Sequence, residues 1–95
     1  MIATFGDRDT ERLYNTRARP PRLPPDLLKP ALRKLDLLNA ALDLSDLRIP
    51  PGNRLEQLQG DLSGHWSIRI NIQWRLVFRW VAGSALDVRI TDYHL

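Results

Sequence analysis

The sequence contains no cysteine, and its lysines, histidines and glycines are few. Without cysteine, neither a disulfide framework nor a cysteine-ligated zinc site is available to reinforce a small fold, so apolar packing alone has to stabilise it. The longest apolar runs are only a few residues, and residues 1–7 lack the basic and apolar regions of a signal peptide. We therefore expect a cytoplasmic protein that makes no membrane contact.

Metal and nucleotide sites are poorly supported for the same reason. The only two histidines are His65 and His94, so a metal site would have to be assembled from scattered carboxylates. The five glycines never approach the spacing of a phosphate-cradling loop. The sequence therefore predicts neither a bound metal nor another cofactor, and His65 is interpreted as a loop residue without a catalytic task.

Arginine is the residue that the sequence has in excess. Twelve arginines stand against two lysines, and the 95 residues carry a formal net charge of +3. The planar guanidinium suits phosphates and stacks on bases, whereas lysine is sufficient for solubility. A coding sequence rich in G and C also favours arginine, so the composition allows a nucleic-acid partner without requiring one. With 43% hydrophobic and 26% charged residues, the balance is that of one globular domain over residues 1–95.

The N-terminal half is predicted to be mainly helical. Residues 2–5 form a short strand in this interpretation, and polar residues then cap a short helix over residues 11–14. The prolines of residues 17–25 exclude a helix and predict a stiff connector. From Asp26 onwards an amphipathic helix is predicted, with Pro30 in its first turn. Its apolar stripe is interpreted as core, with a partner groove as the alternative, and consists of Leu28, Leu32, Leu35, Leu38 and Leu42.

The C-terminal half is predicted to be a β-meander. A short helical turn at residues 45–47 and a loop over residues 49–53 lead to three segments in which apolar and polar residues alternate. These segments, residues 66–71, 74–80 and 86–91, are predicted strands with one apolar and one basic face. Helices must cover the apolar face. The predicted fold class is therefore α+β, with an N-terminal strand and helices packed on a C-terminal antiparallel β-meander.

The basic face of this meander carries four arginines, which are Arg69, Arg75, Arg79 and Arg89. Like charges on one small sheet face repel each other unless an anion meets them, so the pattern favours a phosphate-bearing partner such as RNA. The alternative is that the face is merely solvated, or that carboxylates neutralise part of it. The carboxylates in question are Glu56, Asp61 and Asp87.

The tripeptide Asp92-Tyr93-His94 brings a carboxylate, a phenol and an imidazole together. Each of these groups transfers protons, and a phenol also stacks on nucleobases. Alone the tripeptide is a weak signal, because a terminal histidine is often an exposed bystander. Its meaning depends on the segments that precede it.

Those segments together resemble one family. They are Leu58-Gln59-Gly60-Asp61, then residues 64–71 (Gly-His-Trp-Ser-Ile-Arg-Ile-Asn), then residues 74–79 (Trp-Arg-Leu-Val-Phe-Arg), and the closing tripeptide. With this spacing, the chain is similar to the HigB branch of the RelE-type toxins from about Arg54 to its end. The N-terminal half with its leucine helix also resembles that of the family.

The resemblance implies a RelE-like microbial RNase-type fold and a toxin of a type II toxin–antitoxin system. Such a toxin cuts messenger RNA in the ribosomal A site without a metal. It is silenced by a cognate helix-turn-helix antitoxin, and it reaches operator DNA only through that antitoxin.

Residue roles also follow from the resemblance. Arg75 matches the arginine that stabilises the reacting phosphate, and Arg69 matches a basic position on the neighbouring strand. The catalytic tripeptide is matched by Asp92, Tyr93 and His94. A base takes the proton of a 2′-hydroxyl, which attacks the adjacent phosphate, and fixed positive charge stabilises the phosphoryl oxygens. Asp92 or His94 is the expected base, and Tyr93 orients the target nucleobase or stacks on it.

Two positions depart from the family pattern. Many members carry a histidine and a lysine in the segment where this chain has Glu56 and Gln59. Without the lysine, one positive charge that would stabilise the transition state is missing. Glu56 repels phosphate unless it serves as the base. Both residues are counted with Arg69, Arg79 and Arg89 in the expected RNA-binding set. The alternatives are a toxin-like protein that modulates its antitoxin's grip on operator DNA and an RNA-binding protein without chemistry.

Overall fold

The computed structural model, which describes residues 1–92, contains two α-helices followed by a four-stranded antiparallel sheet. The helices are α1 (Arg8–Thr16) and α2 (Leu28–Ala40). The strands are β1 (Glu56–Gln57), β2 (His65–Arg69), β3 (Trp74–Val81) and β4 (Ser84–Asp92), and they lie in the sheet in that order. Short 3-10 turns occupy Pro25–Leu27, Leu44–Arg48, Pro51–Asn53 and Gly60–Leu62. The predicted α+β class is confirmed.

Helix α1 begins where an aspartate caps it. The Asp7 carboxylate accepts a hydrogen bond from the Thr10 backbone N–H at 2.7 Å, which satisfies one of the unpaired amides of the first turn. The helix ends at Thr16, and its C-cap Arg17 has a left-handed backbone (φ 62°) and donates its N–H to the Leu13 carbonyl. These caps extend α1 beyond the predicted residues 11–14.

Residues 2–5 run along the outer edge of β4. The predicted strand forms only as two isolated parallel bridges, to Ala85 and Val88. Gly6 then passes so close to β4 that an added Cβ would lie 2.7 Å from the Asp87 carbonyl oxygen. Asp87 has φ 54° and lies where the register between β3 and β4 shifts. This β-bulge bends the edge and interrupts continuous pairing.

Helix α2 supplies much of the apolar core. A 3-10 turn precedes it, so the α-helix starts at Leu28, two residues later than predicted. Pro30 falls in the first turn, where its missing N–H forfeits no helical bond. Leu35 and Leu38 are fully buried, whereas Leu42 lies beyond the helix and is 86% exposed. The stripe is therefore core, as interpreted, except at its last leucine.

The register of the sheet fixes the neighbours of each arginine. Arg69 of β2 lies directly opposite Arg75 of β3, and His65 lies opposite Arg79. Because the preceding turn ends at Gly64, His65 already belongs to β2, and its prediction as a loop residue was wrong.

The two faces of the sheet differ in chemistry. One face packs against both helices in a single buried apolar cluster, to which the sheet contributes Ile68, Leu76, Phe78, Val88 and Ile90. The opposite face carries the arginines. Among residues 1–92, no helix has the length and apolar character needed to cross a membrane.

Candidate functional site

Arg75 lies near the start of β3, on the face turned away from the helices. Its Nη1 donates hydrogen bonds to the Arg54 carbonyl oxygen and to the Ser67 Oγ, both at 3.3 Å. Its Nη2 lies 3.4 Å from the Glu56 Oε1, and the side chain is only 12% exposed. A guanidinium enclosed in this way has little conformational freedom left to lose on meeting an anion. Arg75 is therefore a preorganised cation.

Ser67 was not predicted as part of this site. It is fully buried and lies on β2, two residues before Arg69 and therefore on the same face. Its hydroxyl orients the Arg75 guanidinium without cancelling its charge, because a hydroxyl is neutral. The alternation that identified Arg69 also assigned Ser67 to the polar face of β2, and this was the available signal.

Glu56 reaches the same guanidinium from the edge of the sheet. It lies on β1 directly opposite Ser67, and its side chain is 47% exposed. The 3.4 Å contact with Arg75 is longer than a well-formed charged hydrogen bond. The carboxylate is thus close to Arg75 and still accessible to a ligand.

Arg69 is brought beside Arg75, since their Cα atoms are direct partners across β2 and β3. Facing residues of an antiparallel pair project to the same side, so both arginines belong to one face. The Arg69 Nε donates to the Asn71 carbonyl at 3.1 Å, which ties the side chain to the turn after β2. The half-buried Arg69 and the more enclosed Arg75 are therefore neighbouring cations on this face.

The other end of the face is organised around Asp87. Its carboxylate accepts a 2.7 Å hydrogen bond from the Arg79 Nε, and its backbone N–H bonds the Thr4 Oγ1 at 2.8 Å. The bond from Arg79 lowers the pKa of Asp87, with smaller contributions from the charges of Arg79, His65 and Arg89. Part of the predicted basic face is therefore neutralised by its own carboxylate.

Two further basic residues border this carboxylate. Arg89 of β4 is half-buried and lies opposite Val77, on the arginine side of the sheet. The Nδ1 of His65 is buried, and no hydrogen-bond partner for it occurs in the described part of the chain. Asp61, the third predicted neutralising carboxylate, is exposed in a 3-10 turn.

The tripeptide is only partly within the described residues. Asp92 is exposed and pairs with Trp74 rather than with Arg75, which puts it on the opposite face of the sheet from Arg75. Its carboxylate accepts from the Gln73 Nε2 at 3.1 and 3.2 Å. Tyr93 and His94 lie outside the described residues. Gln59 is exposed, just after β1.

The Arg75 end of the face combines two capacities. A fixed guanidinium stabilises negative charge that develops on a bound oxyanion, and an accessible carboxylate beside it accepts a proton. Among residues 1–92, no group of three or more histidines and carboxylates is arranged to hold a metal ion.

Comparison with known proteins identifies the chain's relatives. A family model described as the RelE-like toxin of type II toxin-antitoxin system HigB matches residues 3–94. Toxin HigB-1 of Vibrio cholerae serotype O1 is 47% identical over 93 residues, covering 98% of each protein. The Endoribonuclease HigB of Proteus vulgaris is 39% identical over 41 residues, which span 43% of this chain and 45% of that protein.

A solved structure supports the fold independently. A chain of the YoeB-YefM complex from Staphylococcus aureus superposes with a TM-score of 0.56, covering 100% of this chain and 99% of that chain. The two sequences are only 16% identical. The similarity therefore concerns the fold alone.

Proposed function

The chain belongs to the RelE-like HigB toxins of type II toxin–antitoxin systems, and we propose that it is an endoribonuclease that cuts messenger RNA in the ribosomal A site. The observation that carries this proposal is the Arg75 guanidinium, 12% exposed and fixed by neutral acceptors beside an accessible carboxylate. A relative named as an endoribonuclease supports the same reaction class.

The reaction uses a nucleophile that RNA itself provides. The 2′-oxygen attacks the adjacent phosphorus, the bond from phosphorus to the 5′-oxygen breaks, and the products are a 2′,3′-cyclic phosphate and a 5′-hydroxyl. Charge on the phosphoryl oxygens grows during the attack, and the positive charge of the Arg75 guanidinium, whose position is already fixed, stabilises it. Arg69, beside it, binds a second phosphate oxygen. No metal is needed for either step.

Glu56 is the base that we favour for the 2′-hydroxyl. Its carboxylate contacts Arg75, whereas Asp92 is on the other face of the sheet. In this scheme the substitution of glutamate for the family's histidine preserves a proton acceptor. His94 then protonates the departing 5′-oxygen, and Tyr93 stacks on the target nucleobase, while Asp92 supports the tripeptide.

The remaining predicted residues serve the flanking RNA. Arg89 contacts phosphates at the far end of the face, and Arg79 does so in competition with Asp87. Gln59, exposed after β1, contributes a neutral hydrogen bond where other members place a lysine. Binding is therefore expected to weaken with salt.

A cognate antitoxin is the second expected partner. Family membership in a toxin–antitoxin system supports it, and a structural neighbour was solved as the YoeB-YefM complex. We propose that the antitoxin carries a helix-turn-helix domain, that the toxin reaches operator DNA only through it, and that both act in the cytoplasm.

The test is a map of RNA 5′ ends after a brief pulse of expression, repeated with purified ribosomes. The wild type is expected to create new ends within translated messages. Arg75→Ala should lower the cleavage rate roughly 100- to 1,000-fold while the circular dichroism stays native, because a fixed partner of the transition state is lost. Arg12→Ala, at an exposed position of α1, is the matched control and should cut normally. Absence of new ends with the wild type would refute the proposal.

A second candidate is a toxin-like protein that acts mainly by modulating its antitoxin on operator DNA. The position of Glu56, 3.4 Å from Arg75, favours it, since a carboxylate repels phosphate. Purified chain that binds a helix-turn-helix partner tightly, yet leaves messages on ribosomes intact at high concentration, would support this alternative.

A further inference from the structure

One buried amide anchors the segment between α2 and β1. Within residues 1–92, the buried polar side chains are Thr10, Asn53 and Ser67. Ser67 contacts Arg75 directly, whereas Asn53 has no part in the chemistry proposed above. Burying an amide is costly unless its polar atoms are bonded, so the contacts of Asn53 indicate what it holds in place.

The Asn53 side chain uses both of its polar atoms. Its Nδ2 donates to the Leu47 carbonyl at 3.1 Å and to the Ile49 carbonyl at 3.3 Å. Its Oδ1 accepts from the Nζ of Lys34 on α2. Burial, together with the charge of Arg33, lowers the pKa of Lys34, as expected for an ammonium drawn towards the interior. Asn53 therefore joins the loop to the helix.

Arg54, the residue after Asn53, contacts Arg75 directly. Arg54 has φ 46°, a left-handed backbone conformation that residues other than glycine rarely adopt. Its carbonyl accepts a hydrogen bond from the Arg75 Nη1 at 3.3 Å. Strand β1 follows, and it has only two residues to pair with β2. A short edge strand after a strained residue has few contacts that fix its position by itself.

We propose that Asn53 is a positioning residue for Arg75. Its buried amide fixes the backbone at Arg54 and the start of β1, so that the Arg54 carbonyl and Glu56 meet the guanidinium in one geometry. The inference rests on the proposed role of Arg75 in cleavage, and it assigns Asn53 no contact with RNA.

Asn53→Ala tests the proposal because it removes all of the side chain's hydrogen bonds. We expect kcat per folded molecule to fall roughly 10- to 100-fold with little change in KM, since a displaced guanidinium loses mainly transition-state contacts. Nitrogen-15 NMR of the arginine side chains gives a readout apart from activity. In the wild type we expect separate Nη signals of Arg75, because its rotation is restricted, and in the variant these signals should merge.

Two further variants control for folding. Leu47→Ala truncates a fully buried side chain of the same loop but keeps the carbonyl that Asn53 uses. It should lower stability and leave kcat per folded molecule and the Arg75 signals unchanged. Lys34→Met removes only the partner of Oδ1 and should act like Asn53→Ala, more weakly. It replaces that variant if Asn53→Ala does not fold.

The outcomes separate this proposal from the one on which it rests. Arg75 signals that stay separate in Lys34→Met and in any folded Asn53→Ala overturn the positioning role. Equal losses of kcat in Asn53→Ala and Leu47→Ala do so too, because they indicate general loosening. If the wild type cuts no RNA while the Arg75 signals still respond to Asn53→Ala, the nuclease fails and the positioning role stands.

Discussion

Two arginine–carboxylate pairs lie on one face of the sheet and differ in their geometry. Arg79 and Asp87 are joined by a short contact of 2.7 Å, and their side chains are 41% and 42% exposed. Arg75 is 12% exposed and lies 3.4 Å from Glu56, which is 47% exposed. The first is a tight pair with an exposed cation, and the second is a loose pair with an enclosed one.

The two arginines differ in the groups that hold them: neutral groups bond Arg75, whereas a carboxylate bonds Arg79. The neutral Arg54 carbonyl and Ser67 hydroxyl both hold the Nη1 of Arg75, and Glu56 contacts its Nη2. Arg79 is bonded by Asp87, which cancels its charge in the act of orienting it. An anion that approaches this face therefore meets a tightly paired cation at Arg79 and, at Arg75, a cation whose Nη1 is bonded by two neutral acceptors.

The largest expected effect is that of Glu56→Gln. If Glu56 is the base, loss of its proton affinity should lower kcat on ribosome-bound message by roughly 100- to 10,000-fold, because that is the usual contribution of a positioned base. Glu56→Asp keeps a carboxylate and should retain more activity. Single-turnover cleavage assays measure both rates.

Full activity of Glu56→Gln would mean that the two arginine–carboxylate pairs have the same role. The Glu56–Arg75 pair would then only neutralise charge, as Asp87 does for Arg79, and the base would have to be sought in the tripeptide. A circular dichroism melt of each variant is the control, since β1 is short enough to be displaced by a single change.

The strands of this face were predictable because alternation reports directly on side-chain direction. It also put Arg69 and Arg75 together, as the register confirms. The same alternation assigned Asp92 to the side of Ile90 rather than of Arg89, a sign that it does not face Arg75. Grouping the tripeptide as one unit overlooked that sign.

The segments that could not be predicted are those without a repeating pattern of apolar and polar residues. Strand β1 has only two residues, too few to alternate. Asn53 lies in a loop of prolines and glycine, where local sequence indicates a turn but not its long-range partner on α2. At the bulge, Asp87 lies close to Gly6, which is more than 80 residues away in sequence.

A smaller effect is expected from Asp87→Asn. Asparagine tolerates the left-handed backbone at this position, so the bulge should survive while the charge that opposes Arg79 is lost. RNA should then bind about 2- to 5-fold more tightly at low salt, with a steeper salt dependence and an unchanged kcat. Titration at several salt concentrations measures this. A fall in affinity would mean that Asp87 itself orients the RNA-binding arginines.

The smallest effect is the dependence of stability on acid. The hydrogen bond from Arg79 lowers the pKa of Asp87 below 3.8 in the folded chain, so the pair stabilises the fold above that pH and ceases to do so as the pH falls through the lowered value. Because both side chains are well exposed, the contribution should be under about 1 kcal/mol. Urea unfolding of the wild type and of Asp87→Asn should therefore give free energies whose difference is constant from pH 7 to about pH 5 and shrinks towards pH 3. In an Arg79→Gln background the same substitution should lose most of this pH dependence, since the bond from Arg79 is its main cause. A difference that persists unchanged in that background would assign the lowered pKa to the charges of His65 and Arg89, and the tight pair would no longer be the feature that sets this end of the face apart.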